Sequence, residues 1–416
     1  MIIKRHLGKI AFQNVFGRQM RFIVGPRQAG KTTLAKEFLS KAGSSEFYYN
    51  WDLRNIRDKF RSNPNFFWEE LLQAKKRKRQ KPWVCFDEIH KIPKWKNILK
   101  GIFDEYEKTF RFIATFSARL DLMRRSGDSL VGRYFSFKLF PVVLSELSGC
   151  PFPDKSVNNA ENFIHRRISY NINCNDEFEQ LFKFGGFPEP LIKASDRFHR
   201  RWQKDYIERL IFGDIRDLMS IRELENVAVL IKLLPERIGS PLSLNSLRET
   251  MEVSYNAIKT WIKALEFVYV IFLVPPYHLK LAASLKKEKK LYFFDWSRAD
   301  DESVRFENYV AVELKTMIEL WNDSGAGNFA LFYVKQRNGR ETDFLIVKEK
   351  IPWLLIEAKL TDGNIESQHF SHSQRLGGIP FVQILKKAGV VKKVKNNFFV
   401  VSAERFFSGE RKINFR

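Results

Sequence analysis

The stretch Gly25-Pro26-Arg27-Gln28-Ala29-Gly30-Lys31-Thr32-Thr33 fills the template G-x-x-x-x-G-K-[ST] at every defined position. Few features constrain a fold as tightly, because the template works only between a strand and a helix. Both flanks read that way. Arg21-Phe22-Ile23-Val24 suits a short buried strand, and Thr33 to Leu39 suits the helix that leaves the loop. In such a loop the main-chain amides converge on phosphate oxygens, and the helix N-terminus adds a favourable dipole. Lys31 is then placed to bridge the β- and γ-phosphates, and the Thr32 hydroxyl to meet Mg²⁺. The expectation is an α/β domain with a parallel sheet that takes ATP together with Mg²⁺.

A second motif points the same way. Trp83-Val84-Cys85-Phe86 is a run of four apolar residues ending in Asp87-Glu88. An aspartate at the end of such a strand holds Mg²⁺ beside the phosphates. The next residue points the other way along a strand, so Glu88 is free for a different task, the activation of water. Alone, two acids at a strand end read as solvated charge; beside the loop upstream they read as catalytic. A third strand, Phe110 to Thr115, leads to Ser117, a polar residue placed to sense the γ-phosphate.

Gly25 to Thr33, Phe86-Asp87-Glu88-Ile89-His90-Lys91-Ile92-Pro93, Ser117-Ala118-Arg119-Leu120 and Leu130-Val131-Gly132-Arg133 together resemble a large bacterial and archaeal family of AAA+-type P-loop ATPases. Its members fuse the ATPase to a C-terminal domain of unknown function. The resemblance continues through Gly185-Gly186-Phe187-Pro188-Glu189-Pro190, Phe306-Glu307-Asn308-Tyr309-Val310 and Glu341-Thr342-Asp343-Phe344-Leu345-Ile346, and so covers almost the whole chain. It implies an ATPase core of Lys31, Thr32, Asp87 and Glu88. It also implies Arg133 as an arginine finger supplied in trans, hence a homo-oligomeric ring or dimer. One departure stands out: Phe116 occupies the place where the family has glycine, next to the sensor position Ser117.

At 416 residues the chain exceeds one ordinary core, so two or three domains are expected. Three cysteines, Cys85, Cys150 and Cys174, form no C-x-x-C pair. Zinc and a disulfide framework are disfavoured, and a reducing cytoplasm fits. The start, Met1 to His6, leads into no secretory segment. The longest apolar run, Phe267 to Val274, halts at Pro275-Pro276, far short of a bilayer span, so no membrane partner is expected. A formal charge of +23 attracts polyanions, with DNA the expected nucleic acid. Basic clusters lie at Lys75-Lys76-Arg77-Lys78-Arg79, Lys286-Lys287-Glu288-Lys289-Lys290 and Lys392-Lys393-Val394-Lys395. A single charge run of this kind is usually only a solvated face, and contact with phosphate backbone is the minority reading for each.

The pattern divides into an ATPase core over 1–150, a helical lid or linker over 151–238, a winged helix over 239–300 and a C-terminal domain over 301–416. Gly149-Cys150-Pro151-Phe152-Pro153 breaks the first segment. Glu177 to Pro235 looks helical, with Trp202, Tyr206 and Leu210 on one apolar stripe. The turn Gly185-Gly186-Phe187-Pro188 reads as a helix break or as a nucleotide-facing lid element. In the third segment Ser254 is an N-cap, and the helix from Tyr255 to about Phe267 buries Ile258, Ile262 and Leu265. Tyr255, Lys259 and Lys263 lie on its other face, where a recognition helix meets DNA. A basic loop between the strands Val268 to Val274 and Lys290 to Asp295 would be the wing; the same module is also used for protein packing.

The C-terminal segment places Glu307 on a helix, Asp343 on the strand Thr342 to Val347, and Glu357 with Lys359 on one side of the strand Trp353 to Lys359. This order resembles the restriction-endonuclease-like PD-(D/E)XK fold, in which two carboxylates hold Mg²⁺ and the lysine assists at the phosphate. An inactive binding platform and a structural salt bridge stand as alternatives to cleavage. The reading as a whole is a cytoplasmic, Mg²⁺-dependent ATPase that couples nucleotide state to rearrangement on nucleic acid. A protein-interaction switch and a metal-dependent nuclease regulated by ATP are the alternatives.

Overall fold

The computed structural model describes residues 2–63, 66–75, 81–117, 130–152, 157–169, 173–216, 220–278, 287–336, 338–395 and 397–409. Ala118, Arg119 and Leu120, most of the Lys75–Arg79 cluster, and Lys286 with most of the expected wing lie outside the described residues. The chain forms two compact units, Leu7–Phe140 and Met1–His6 joined with Pro141–Arg416.

The Leu7–Phe140 unit is a parallel sheet. Its strands are β1 (Met20–Val24), β2 (Tyr48–Asn50), β3 (Trp83–Asp87), β4 (Arg111–Phe116) and β5 (Tyr134–Lys138), in the order β2-β3-β4-β1-β5. Helix α1 (Lys31–Lys41) follows the phosphate loop, and α2 (Trp95–Tyr106) precedes β4. Central strands of a parallel sheet are covered on both faces, and β1 and β3 are buried at every residue. One parity of side chains, Met20, Phe22, Val24, Val84, Phe86, Phe112 and Ala114, faces a shared core with Leu99, Ile102 and Phe103 of α2. Phe116 belongs to that core. Its ring lies 4.9 Å from Phe22 and 5.2 Å from Trp95. The side chain that replaces the family's glycine is therefore spent on packing.

In the second unit the helical stretch expected over Glu177 to Pro235 resolves into α3 (Asn175–Phe184), α4 (Pro188–Lys193), α5 (Asp196–Arg209) and α6 (Ile221–Leu233). The break between α3 and α4 is a close approach: a Cβ on Gly186 would sit 2.6 Å from the Val142 carbonyl oxygen, and the Gly186 carbonyl accepts from the Val142 amide. Trp202 and Tyr206 of α5 bury one face against Phe187. Then come α7 (Leu244–Thr250) and α8 (Tyr255–Phe267), the latter capped by the Ser254 hydroxyl, which accepts from the Ala257 amide. An antiparallel pair follows, β6 (Ile271–Val274) with β7 (Lys290–Phe293).

The long helix α9 (Glu302–Ser324) precedes a six-stranded mixed sheet of β8 (Phe329–Lys335), β9 (Glu341–Lys348), β10 (Ile351–Lys359), β11 (Phe381–Leu385), β12 (Val391–Lys395) and β13 (Phe398–Ser402), ordered β12-β13-β11-β10-β9-β8. Helix α10 (Ser367–Arg375) crosses between β10 and β11. The β6–β7 pair is stitched to the β8 edge: the Tyr277 amide donates to Tyr333 and the Tyr333 amide to Pro275. On the other side Asn308 of α9 acts as a strand partner for Phe293, its side chain accepting from the amide and donating to the carbonyl. That pair of hydrogen bonds accounts for an asparagine buried in the middle of an apolar helix face.

Candidate functional site

The loop between β1 and α1 is shaped by residues that tolerate its backbone. A Cβ on Gly25 would meet the Leu139 carbonyl oxygen at 2.0 Å, which leaves room only for glycine. Gln28 and Gly30 take left-handed conformations at φ 62° and 98°. Pro26 and Ala29 are buried, Arg27 and Gln28 are half-buried, and Thr33 is exposed in the first turn of α1. Lys31 is 5% exposed, and its ammonium donates to the carbonyls of Gly25 and Pro26 at 3.0 and 2.7 Å. A buried cation is thus held at the loop by two neutral acceptors, which phosphate oxygens would outcompete.

The two acids sit at the carboxyl end of β3, level with the loop across β4. The Thr32 hydroxyl donates to Asp87 at 2.9 Å, and the hydroxyls of Tyr48 and Thr115 also donate to that carboxylate. Hydroxyl and carboxylate oxygens are the donors Mg²⁺ prefers, so Thr32 and Asp87 fit the ion. Glu88 turns away in a left-handed conformation at φ 56°, its amide donating to Thr115 at 3.2 Å. Its carboxylate accepts from Ser117 at 3.0 Å and lies 3.6 Å from His90. Burial raises the proton affinity of Glu88 against the pull of Lys31 and Lys91. Burial, then Lys91, pushes His90 down to about 4, so it is neutral beside the acid. The result is a carboxylate base with raised affinity, facing the loop's cation. Tyr48, Thr115 and His90 were not singled out from sequence. Thr115 was legible in principle, since parallel register sets it against Asp87; Tyr48 carried no signal.

Arg133 precedes β5, and its carbonyl accepts from Met20 at the start of β1. The phosphate loop leaves the other end of β1, about 16 Å away along five residues of strand. Its guanidinium makes a two-point pair with Asp104 of α2 at 2.6 and 3.0 Å. Arg133 is therefore not brought to the phosphate loop of its own unit.

In the second unit Tyr255, Lys259 and Lys263 share the exposed side of α8, opposite buried Ile258, Trp261 and Leu265. They line a groove of about 350 Å³ with Asn245, Lys287 and Lys289. Lys290 departs from the solvated basic run it was grouped with, because it is buried at 1% exposure.

Lys290 instead joins two of the C-terminal candidates, Glu307 and Asp343, and adds Glu341. Its ammonium lies 3.1 Å from Glu307, 3.2 Å from Asp343 and 2.6 Å from Glu341. Tyr292 donates to Glu307 at 2.7 Å. Glu357 accepts from the Asp343 amide at 3.1 Å, and Lys359 pairs with both Glu357 and Glu366 at 3.3 Å. Glu307, Asp343, Glu357 and Lys359 do converge, yet an ammonium takes the position between the carboxylates. Among the described residues no group of three or more His, Cys, Asp or Glu side chains is arranged to hold a metal ion. The residues as they stand do not fit a resident divalent cation. Behind them the Thr342 hydroxyl meets Nδ1 of both His369 and His372, at 2.8 and 2.7 Å. A single hydroxyl proton cannot serve both, so at least one of the two imidazoles carries a proton on Nδ1.

The first unit is an AAA-type P-loop nucleotide-binding domain: a parallel 2-3-4-1-5 sheet, a phosphate loop after β1 and an Asp-Glu pair after β3. Residues 17–148 match the family model described as AAA domain, and residues 175–299 match one described as Domain of unknown function (DUF8612). The chain is similar to Uncharacterized protein MJ1544 of Methanocaldococcus jannaschii, 24% identical over 364 residues, covering 84% of this chain and 77% of that protein. It is also similar to Uncharacterized protein Rv2008c of Mycobacterium tuberculosis, 23% identical over 274 residues and 66% of this chain, and spans about half, 53%, of that relative. Among solved structures, the Thermotoga maritima RuvB Holliday junction branch migration motor aligns at 14% identity over 65% of this chain and 89% of that one, with a TM-score of 0.29. An overlap that loose carries no conclusion about this chain. No helix among the described residues is long and apolar enough to cross a membrane.

Proposed function

We propose that this chain is an Mg²⁺-dependent ATPase that couples its nucleotide state to rearrangement on DNA. The observation that carries the reading is the convergence of Lys31, Thr32, Asp87, Glu88 and Ser117 at the carboxyl ends of β1, β3 and β4. Ligands of open α/β sheets bind at those ends.

In this reading Lys31 exchanges its two loop carbonyls for β- and γ-phosphate oxygens. Thr32 and Asp87 hold Mg²⁺, which when bound neutralises charge on the phosphates. Glu88 takes the proton of the attacking water, and Ser117 fixes the direction in which its carboxylate points. Arg133 acts in trans: it releases Asp104 and meets the phosphates of a neighbouring copy in a ring or dimer. Mixing Arg133→Ala with Lys31→Ala chains should then restore hydrolysis that neither shows alone.

The DNA part rests on the charge of +23 and on the exposed lysine face of α8, read as the recognition helix of a winged helix. Titration with Mg²⁺ and ATP, followed by heat or fluorescence, tests the first half; no response refutes it. Duplex DNA binding measured against salt tests the second, since phosphate contacts make affinity fall steeply as salt rises. Absence of binding at low salt replaces DNA with a protein partner on the same face.

A further inference from the structure

We infer that Lys290 is the resident cation of the Glu307–Glu341–Asp343 cluster, and that removing its ammonium uncovers a divalent-cation site that the native chain keeps closed. The four C-terminal residues follow the order of a restriction-endonuclease-like site, where two of the carboxylates would hold a metal. In this chain Glu307 and Asp343 already share an ammonium. Three protons of the ammonium face three carboxylates, Glu307, Glu341 and Asp343, at 2.6 to 3.2 Å. Mg²⁺ would need the same oxygens at about 2.0–2.1 Å. It would also stand beside the like charge of an ammonium that is only 1% exposed, where repulsion is screened less than in open water.

Lysine is a flexible side chain, so its presence there needs a reason, and the backbone supplies one. Lys290 opposes Val274 in the β6–β7 ladder and bridges to Pro241 on its other side. Two residues on, the same face of β7 sends the Tyr292 hydroxyl to Glu307. Asn308 then clamps both main-chain groups of Phe293. Gly239, in a left-handed conformation at φ 72°, closes over the same carboxylate; a Cβ there would lie 2.9 Å from it. Strand β7 is therefore locked in register with an ammonium and a phenol aimed at the acids.

The charge balance agrees: Lys290 stands against Glu307, Glu341 and Asp343, and Lys359 against Glu357, so the acids are compensated without a metal. The ammonium also ties the β6–β7 pair to the C-terminal sheet, so the same contact that closes the site holds two elements together.

The inference depends on neither ATP hydrolysis nor DNA, and its failure is read separately from theirs. Nucleotide-free full chain is titrated with Mn²⁺, free ion being followed by electron paramagnetic resonance. Wild type, Lys290→Met and Lys290→Met/Asp343→Asn are compared, so that weak binding elsewhere cancels. Lys290→Met should gain one Mn²⁺ site, roughly tenfold or more tighter than anything in the wild type, because a like charge has been taken from beside the ion. The double variant should lose it. A folded Lys290→Met chain with no new site overturns the inference. Should Lys290→Met not fold, wild type against Asp343→Asn decides: an Asp343-dependent Mn²⁺ site in the wild type overturns the inference, and equal binding by the two supports it.

Discussion

The Thr32 hydroxyl donates to the Asp87 carboxylate at 2.9 Å, joining the phosphate loop to the end of β3 across 55 positions of sequence. The two groups that would share Mg²⁺ are thus already side by side. Asp87→Asn keeps a hydrogen-bond acceptor and removes the charge. Hydrogen bonds to charged groups contribute on the order of 1.5–3 kcal/mol. ATP affinity in the presence of Mg²⁺ should accordingly fall roughly 10- to 100-fold, with little change in EDTA. Equal losses in both conditions would show that Asp87 serves the loop's shape and not the ion.

Glu88 and Ser117 separate binding from chemistry. Glu88→Gln should bind ATP normally and lose roughly 10²–10⁴-fold in kcat. The Ser117 hydroxyl lowers the proton affinity of Glu88, opposing the burial that raises it. Ser117→Ala therefore moves the acid limb of the kcat profile to higher pH. Phosphate release measured from pH 5 to 9 reads both effects, and an unmoved limb removes Ser117 from control of the proton.

Phe116 is a core residue at 1% exposure, packed at tilted ring angles among Phe22, Trp95 and His90. Restoring the glycine that the resembled family carries should not improve turnover. Phe116→Gly should cost at least the ~3–5 kcal/mol typical of Phe→Ala in a core. Urea unfolding followed by tryptophan fluorescence measures it; a loss under about 1 kcal/mol would mean the neighbouring aromatics close the gap.

Glu313 on α9 gives a pH signature independent of nucleotide. Burial raises its carboxyl from 4.5 to about 8, although it accepts from the Leu144 amide at 2.7 Å. The folded chain keeps a proton that the unfolded chain releases, so the contribution is present below pH 4.5 and is lost as pH rises toward 8. Thermal melts from pH 5 to 8.5 should show wild type losing stability relative to Glu313→Gln. Parallel curves would mean that the carboxyl ionises freely in place.

Much of the nucleotide site was legible in the chain because its chemistry is local. A loop that wraps a phosphate needs glycine and lysine at fixed short spacing, and the strand before it must be apolar to lie inside a parallel sheet. Asp87 and Glu88 were readable for the same reason, since they end an apolar run. Tyr48 was not, because a tyrosine near an edge strand announces no partner. Arg133 was named by resemblance, while its pairing with Asp104 and its place at the far end of β1 follow only from parallel register.

The C-terminal cluster divides most sharply along this line. Sequence order named Glu307, Asp343, Glu357 and Lys359, and they do meet. Lys290 looked like one more member of a basic surface run, and the fold made it the most buried lysine among the described residues of the second unit. Strand alternation puts successive residues on opposite faces, but which face meets a carboxylate is decided by what packs there. By itself the chain of residues determined the phosphate loop, the acids after β3 and the candidate carboxylates, because each is written in contiguous residues. The tertiary structure alone decided which cation stands among those carboxylates, because an ion pair between distant segments depends on strand register and burial, and neither is encoded at any one position.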